Sequence, residues 1–244
     1  MPVDIIEVIK RSTQGATEPF ICRGEDGHVY FVKGKSAGRP SLIKEWVCGR
    51  LAELLALPIA PFKIVTVPPE LVALPSTLSL HALGAGLAFG SQERQLVSDI
   101  LFGQSKMVPL ETRRDILMFD KWVRNYDRTL SAHGGNPNLL WALDGEAVVM
   151  IDHNNAFDVE QDAPGLAQHH IFGAELFEIL GDADLRSMYS ARFDIALERW
   201  AEIVASVPNE WHFADADQSV PTSFTLDQAF AVLCEHRQER FWAW

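Results

Sequence analysis

The chain has 244 residues, of which 48% are hydrophobic and 22% charged, so it can bury a core as one large domain or as two lobes. Its net charge of −12 excludes a general nucleic-acid-binding surface, because phosphate contacts need an excess of Lys and Arg. The three cysteines, Cys22, Cys48 and Cys234, are far apart without a Cys-x-x-Cys pair, which points away from a disulfide framework or a zinc site.

Ile5 to Ile9 and Phe20 to Arg23 are short apolar runs that read as strands. Gly24-Glu25-Asp26-Gly27 is a turn signal, and His28 to Lys33 alternates as a strand does, so a hairpin is expected there. A helix opens near Pro40, with Ser41 as its candidate N-cap, and carries Leu42, Trp46, Leu51, Leu54 and Leu55 on one face before Pro58. Phe62 to Val67 reads as another strand. Gly84, Gly86 and Gly90 make Leu80 to Gly90 read as a flexible crossing between lobes.

Beyond it the pattern turns helical. Glu111 to Arg124 is expected as a buried helix, with apolar residues at Ile116, Leu117, Phe119, Trp122 and Val123. Asn138 to Ala142 and Ala147 to Ile151 read as strands around an Asp144-Gly145 turn, and Ile171 to Val207 and Leu226 to Trp242 read as helical. The expected fold is α+β and bilobal, an arrangement that fits a nucleotide enzyme. A small β-rich N-lobe with one helix (1–88) precedes a larger, mainly helical C-lobe (89–244). The most apolar window, Leu51 to Phe62, holds Glu53 and two prolines, so no membrane insertion is expected. The N-terminus lacks a basic start and long apolar stretch, so a cytoplasmic location is expected.

The chemistry is suggested by Asn125 to Asp152. It holds Asp127 in a polar turn, asparagines just ahead of an apolar strand, and Asp152 at the end of another. Phosphoryl transfer from a Mg-nucleotide uses one carboxylate near the acceptor hydroxyl, and an amide plus a carboxylate on the metal. Arg128 could pair with Asp127 or face the transferring phosphate. Asn136 or Asn138 could supply an amide oxygen to Mg²⁺, with Asn138 favoured because Leu139-Leu140 follows it directly. Lys33 ends a strand and Glu45 lies one turn into the next helix. That order suits a lysine on phosphates held by a carboxylate, although two solvated side chains would look the same. Ser12 to Thr17, with Gly15, could cover phosphates through backbone N–H groups or be an ordinary turn.

Together these blocks resemble the HipA-like kinases. The resemblance covers most of the chain: the Gly15 turn, Tyr30 to Gly34, Glu45, Leu51 to Leu54, Leu57 to Pro61, Phe89-Gly90-Ser91, Asn125 to Arg128, Asn136 to Leu140, and Ile151 to His153. It implies a protein-kinase-like fold and an ATP- and Mg²⁺-dependent kinase acting on a hydroxyl, first of all a Ser or Thr of a protein substrate. Lys33 and Glu45 would then serve the phosphates, Gly15, Phe89 and Gly90 the nucleotide, Asp127 catalysis, and Asn138 or Asn136 with Asp152 the metal. The family's namesake is a toxin that phosphorylates a protein on serine; this chain is much shorter, so toxin activity is not implied. The rival readings are a small-molecule or lipid-headgroup kinase and a nucleotide-binding pseudokinase acting through interactions. One departure from the kinase pattern is plain. Asn138 lies eleven residues after Asp127, where the pattern places its asparagine about five residues on.

Overall fold

The computed structural model describes residues 1–12, 18–143, 148–158 and 163–243. The chain divides into two units, the first being Met1–Trp46, Ala60–Gln95 and Val207–Phe224, and the second Val47–Ile59, Leu96–Ser206 and Thr225–Trp244.

The first unit is built on a closed five-stranded barrel: β1 (Val3–Arg11), β2 (Phe20–Gly24), β3 (Val29–Lys33), β4 (Phe62–Val67) and β5 (Gly86–Gln92). The order around the barrel is β1-β2-β3-β5-β4, antiparallel throughout except for the parallel β1–β4 pairing that closes it. Alternation along the strands selects the interior, since successive side chains point to opposite faces. Ile5, Phe20, Cys22, Tyr30, Val32, Val65 and Ala88 are buried in one cluster. Register shifts in β1 between Ile5 and Glu7 and between Val8 and Lys10 bend that strand, as extra residues in a ladder do.

The expected β2–β3 hairpin forms, with Phe20 opposite Val32 and Arg23 opposite Val29. Gly27 takes φ +82°, and Asp26 accepts from the His28 N–H and the Tyr30 hydroxyl, which ties the turn to the barrel wall. Two local expectations are corrected. Leu80 to Gly90 is no crossing, because its second half is β5, paired on both edges. Gly90 is a packing glycine there: a Cβ would lie 2.7 Å from Val65 Cγ1 and 3.3 Å from Tyr30 Cδ1. Ser41 is no N-cap, since α1 (Arg39–Leu54) has already begun and the Ser41 Oγ is buried without a hydrogen-bond partner.

Between β4 and β5 lies the short α2 (Pro69–Val72). The second unit holds a three-stranded antiparallel sheet of β6 (Val97–Asp99), β7 (Leu139–Ala142) and β8 (Val148–Met150), in the order β6-β7-β8. The expected hairpin is β7–β8; its Asp144-Gly145 turn lies outside the described residues. The unit also holds α3 (Leu110–Trp122), α4 (Ala163–His169), α5 (Leu176–Gly181), α6 (Ala183–Leu197), α7 (Trp200–Ser206) and α8 (Leu226–Leu233).

α3 is the central helix of this unit, and its last two turns are buried from Ile116 to Trp122. Trp122 stacks on Phe193 at 4.3 Å and donates its indole N–H to the Leu233 carbonyl, so its one polar group is satisfied. Burying such a ring contributes on the order of 2–3 kcal/mol. α6 is capped by Asp182 and α8 by Thr225 with Gln228, which satisfies N–H groups that have no partner inside either helix. Among the described residues no helix is long and apolar enough to cross a membrane.

Candidate functional site

Two of the residues buried with the apolar face of α3 are charged, Asp120 and Lys121. Lys121 is accommodated by the ring of Phe241, 4.6 Å from its ammonium, and burial pushes its pKa down to about 8. Asp120 organises the loop that leaves the helix. Arg124 turns the chain out of α3 at φ +52°, and the Asn125 N–H and side-chain amide both return to Asp120. The segment that bears Asp127 is thus anchored to the helix before it.

Asp127 and Arg128 are neighbours that point in opposite directions. Arg128 is fully buried and pairs with Asp120, its Nε lying 2.6 Å from Oδ2. Its guanidinium is thus given to Asp120 and not to Asp127, the partner the sequence suggested. Its Nη1 donates to the Asn138 carbonyl and lies 3.4 Å from that of Ile151, and its Nη2 meets His153 Nε2 at 3.0 Å. An arginine only donates, so His153 Nε2 supplies the lone pair there.

The other side of Asp120 is occupied by His170, whose Nε2 is 2.9 Å from Oδ2. His170 Nδ1 accepts from the Phe172 N–H, so the proton sits on Nε2 and the ring is neutral. Burial lowers the His170 pKa, and Arg128 adds to this against the opposing pull of Asp120. For Asp120 burial acts to raise the pKa, but Arg128 and the His170 hydrogen bond outweigh it and hold the carboxyl far below its usual range.

Asp127 is half-buried, and three side-chain amides converge on its Oδ2: Asn136 at 3.0 Å, Asn138 at 3.2 Å and Asn155 at 3.1 Å. The extended spacing between Asp127 and the asparagines has a simple cause. The Thr129 N–H bonds the Asn136 carbonyl, and the Asn136 N–H bonds Thr129 Oγ1, closing the base of an excursion. Within it Ser131 and Gly134 exchange backbone hydrogen bonds in a small turn of their own. Four residues, Ser131 to Gly134, are looped out. Without them Asn136 would stand five residues after Asp127.

Asp152 follows β8 and takes φ +58°, a left-handed conformation that turns the chain sharply at the strand end. The Ile151 N–H bonds the Asn138 carbonyl, so the backbone before Asp152 lies beside the start of β7. Asn155, three residues on, went unassigned in the sequence, as did Asp120 and His170. Asp120 was the detectable one, an acidic residue directly after the run Ile116-Leu117-Met118-Phe119.

In the first unit, Lys33 and Glu45 form a buried ion pair, with 7% and 3% exposure. Gly34, next to Lys33, is where the Leu83 backbone passes: a Cβ there would lie 2.0 Å from the Leu83 carbonyl oxygen. Phe89 is opposite Lys33 in the β3–β5 ladder and stacks on Phe62 at 5.8 Å. Gly15 lies outside the described residues.

A cavity of about 360 Å³ opens beside Asp127, lined also by Tyr126, Thr129, Asn155, Asp158 and His169. Among the described residues no group of three or more His, Cys, Asp or Glu is arranged to hold a metal. The donors near Asp127 are instead amides and single carboxylates. An asparagine that gives its NH₂ to Asp127 keeps its oxygen for a cation. Such oxygens with the Asp152 carboxylate suit a hard ion such as Mg²⁺.

The chain belongs to the HipA-like kinase family, whose model matches residues 5–244, and it is a kinase by that membership. Among solved structures it is similar to the Helicobacter pylori proinflammatory kinase CtkA, at 12% identity and a TM-score of 0.47, covering 99% of this chain and 96% of that one. A comparison with curated proteins returns no match.

Proposed function

We propose that this kinase uses ATP with Mg²⁺ and transfers the γ-phosphoryl group to a hydroxyl, first of all a serine or threonine of a protein. The observation that carries the reading is Asp127, held by three amides on Oδ2 at the wall of a cavity. With those bonds gathered on one oxygen, Oδ1 is the atom to meet an acceptor. In the proposed step the acceptor O–H gives its proton to Asp127 Oδ1 while its oxygen bonds the γ-phosphorus. The bond from that phosphorus to the β–γ bridging oxygen breaks, and ADP leaves with the electron pair. When bound, Mg²⁺ would neutralise charge on the phosphate oxygens. Asp152 and one asparagine amide oxygen would hold it. The looped-out turn 131–134 supports Asn136 for that place, because its removal restores the spacing of the kinase pattern.

In the first unit we assign Lys33, oriented by Glu45, to the nucleotide phosphates. Phe89 and Gly90 would serve the nucleotide indirectly, by shaping the barrel wall opposite Lys33, since the Phe89 ring, the Gly90 α-carbon and the β5 backbone are engaged in packing and pairing. The Gly15 turn would cover the phosphates. A cytoplasmic location is part of this reading, in keeping with three widely spaced cysteines that form no Cys-x-x-Cys pair.

The test is incubation with labelled ATP and Mg²⁺, alone and with cell lysate, for the wild type, Asp127→Ala and Asp152→Ala. Transfer to protein hydroxyls that both substitutions abolish is the expected result. Transfer confined to a small molecule or lipid fraction would move the acceptor class, and transfer surviving both substitutions would overturn the site.

A further inference from the structure

We infer that Arg128, with Asp120 and His170 behind it, is a positioning unit for phosphoryl transfer that sets Asp127 and the Asp152 segment at one fixed spacing. This rests on the roles proposed for Asp127 and Asp152. Its basis is where the guanidinium reaches. Nε and Nη2 grip Asp120 in α3, at 2.6 and 3.4 Å. Nη1 grips the Asn138 carbonyl at the start of β7 and lies 3.4 Å from the Ile151 carbonyl, one residue before Asp152. Nη2 also meets His153, one residue after Asp152, at 3.0 Å.

Arg128 itself is peptide-bonded to Asp127. One rigid planar fork therefore connects four pieces of chain: the helix, the Asp127 loop, the first strand of the hairpin, and both flanks of Asp152. A lysine could not replace it, because its ammonium is a single point and cannot reach several acceptors in fixed directions. Asp120 is the counter-charge that lets the guanidinium stay buried, and His170 fills the remaining acceptor position of Asp120 and holds it in place. The Arg128 carbonyl also accepts from the Ile171 N–H, so the residue is clamped at both backbone and side chain.

The arrangement differs from a merely structural buried ion pair in one testable respect. A structural pair sets how much protein is folded. A positioning unit sets how the folded protein binds metal and how fast it reacts. Arg128→Lys is expected to lower kcat about 100-fold, as misplacement by an ångström does. KM for ATP should stay within about 3-fold, and the Kd for Mn²⁺, read by paramagnetic resonance on folded protein, should rise about 10-fold by the loss of ligand support. His170→Gln, which keeps a donor for Asp120, should move the same quantities in the same direction by about 3-fold.

If Arg128→Lys is folded with wild-type kcat and Mn²⁺ affinity, the inference is overturned. Should that variant fail to fold, His170→Gln decides: raised Mn²⁺ Kd supports the unit and unchanged Kd overturns it. The outcomes are separable from failure of the site itself. If transfer survives Asp127→Ala and Asp152→Ala, the functional reading falls and this inference falls with it. If those variants are dead while Arg128→Lys stays fully active, only the positioning role is lost.

Discussion

Deleting Ser131 to Gly134 tests whether the long interval after Asp127 is an ornament on the site or part of it. The cut leaves Thr129-Leu130-Gly135-Asn136, with Asn136 five residues after Asp127. Thr129 and Asn136 are already hydrogen-bonded to each other, so the new two-residue turn of Leu130 and Gly135 joins ends that lie together. Gly135 must stay, because a Cβ there would fall 2.4 Å from the Thr129 carbonyl oxygen. The deletion removes the paired backbone bonds of Ser131 and Gly134, at 3.0 and 3.1 Å, and the Ser131 Oγ bonds to the Gly134 carbonyl and from the His133 N–H. All of these side-chain bonds are exposed, and water replaces exposed bonds at little loss.

Against that loss, shortening the loop between Thr129 and Asn136 by this amount saves about 1 kcal/mol of closure entropy. The net change in stability is expected to be within about 1 kcal/mol of zero, or roughly 3 °C in the melting temperature of a chain this size. Phosphoryl transfer should stay within about 3-fold of wild type, since an intact Asp127–Asn136 contact keeps the reacting groups placed. Calorimetry and steady-state kinetics on the deletion protein give both numbers. A protein that melts normally but has lost about 100-fold or more in kcat, by the scale on which misplacement acts, would refute the view that residues 131–134 are looped out of the site.

Glu45→Gln breaks the buried Lys33–Glu45 ion pair, which should cost about 3 kcal/mol in chemical denaturation; a loss below about 0.5 kcal/mol, the size of an exposed pair, would refute it. His170 has a lowered folded pKa, so the unfolded chain binds a proton first as pH falls; the stability it contributes is present above its ordinary value of 6.5 and is lost as pH drops toward the folded pKa. Denaturation midpoints should therefore fall less steeply from about pH 7 to 5 in His170→Gln than in wild type, and equal slopes would refute the assignment of a neutral buried ring. Asn136→Ala should lower kcat about 100-fold, in line with the loss of an electrostatic contact to the reacting group, at nearly unchanged stability, because the residue is exposed. Asn138→Ala should act mainly on stability: it is buried and holds φ +45°, a conformation asparagine tolerates better than alanine. The reverse pattern would return the metal amide to Asn138.

Where a regular period applies, the sequence was a good guide. The alternation through Val29 to Lys33 and Phe62 to Val67 gives barrel strands, and the apolar spacing of Ile116 to Trp122 gives the buried α3. Glycine was less legible, because one residue type serves two opposite ends. In Leu80 to Gly90 its density suggests freedom, yet Gly90 is needed where Tyr30 and Val65 press on the strand. Only the partner across the barrel distinguishes these. The loop residues pose the harder case, since a side chain's direction there follows no period. Asp127 and Arg128 are adjacent and oppositely charged, and pairing them is the natural reading of the sequence. What separates them is Asp120, eight residues before Arg128, whose charge must be compensated where the helix is fully buried. The buried acid takes the arginine, and that leaves Asp127 to the asparagines and the cavity. An isolated acidic residue in a buried helix just before such a loop is therefore the mark to look for, because it dictates which of the two neighbours turns inward.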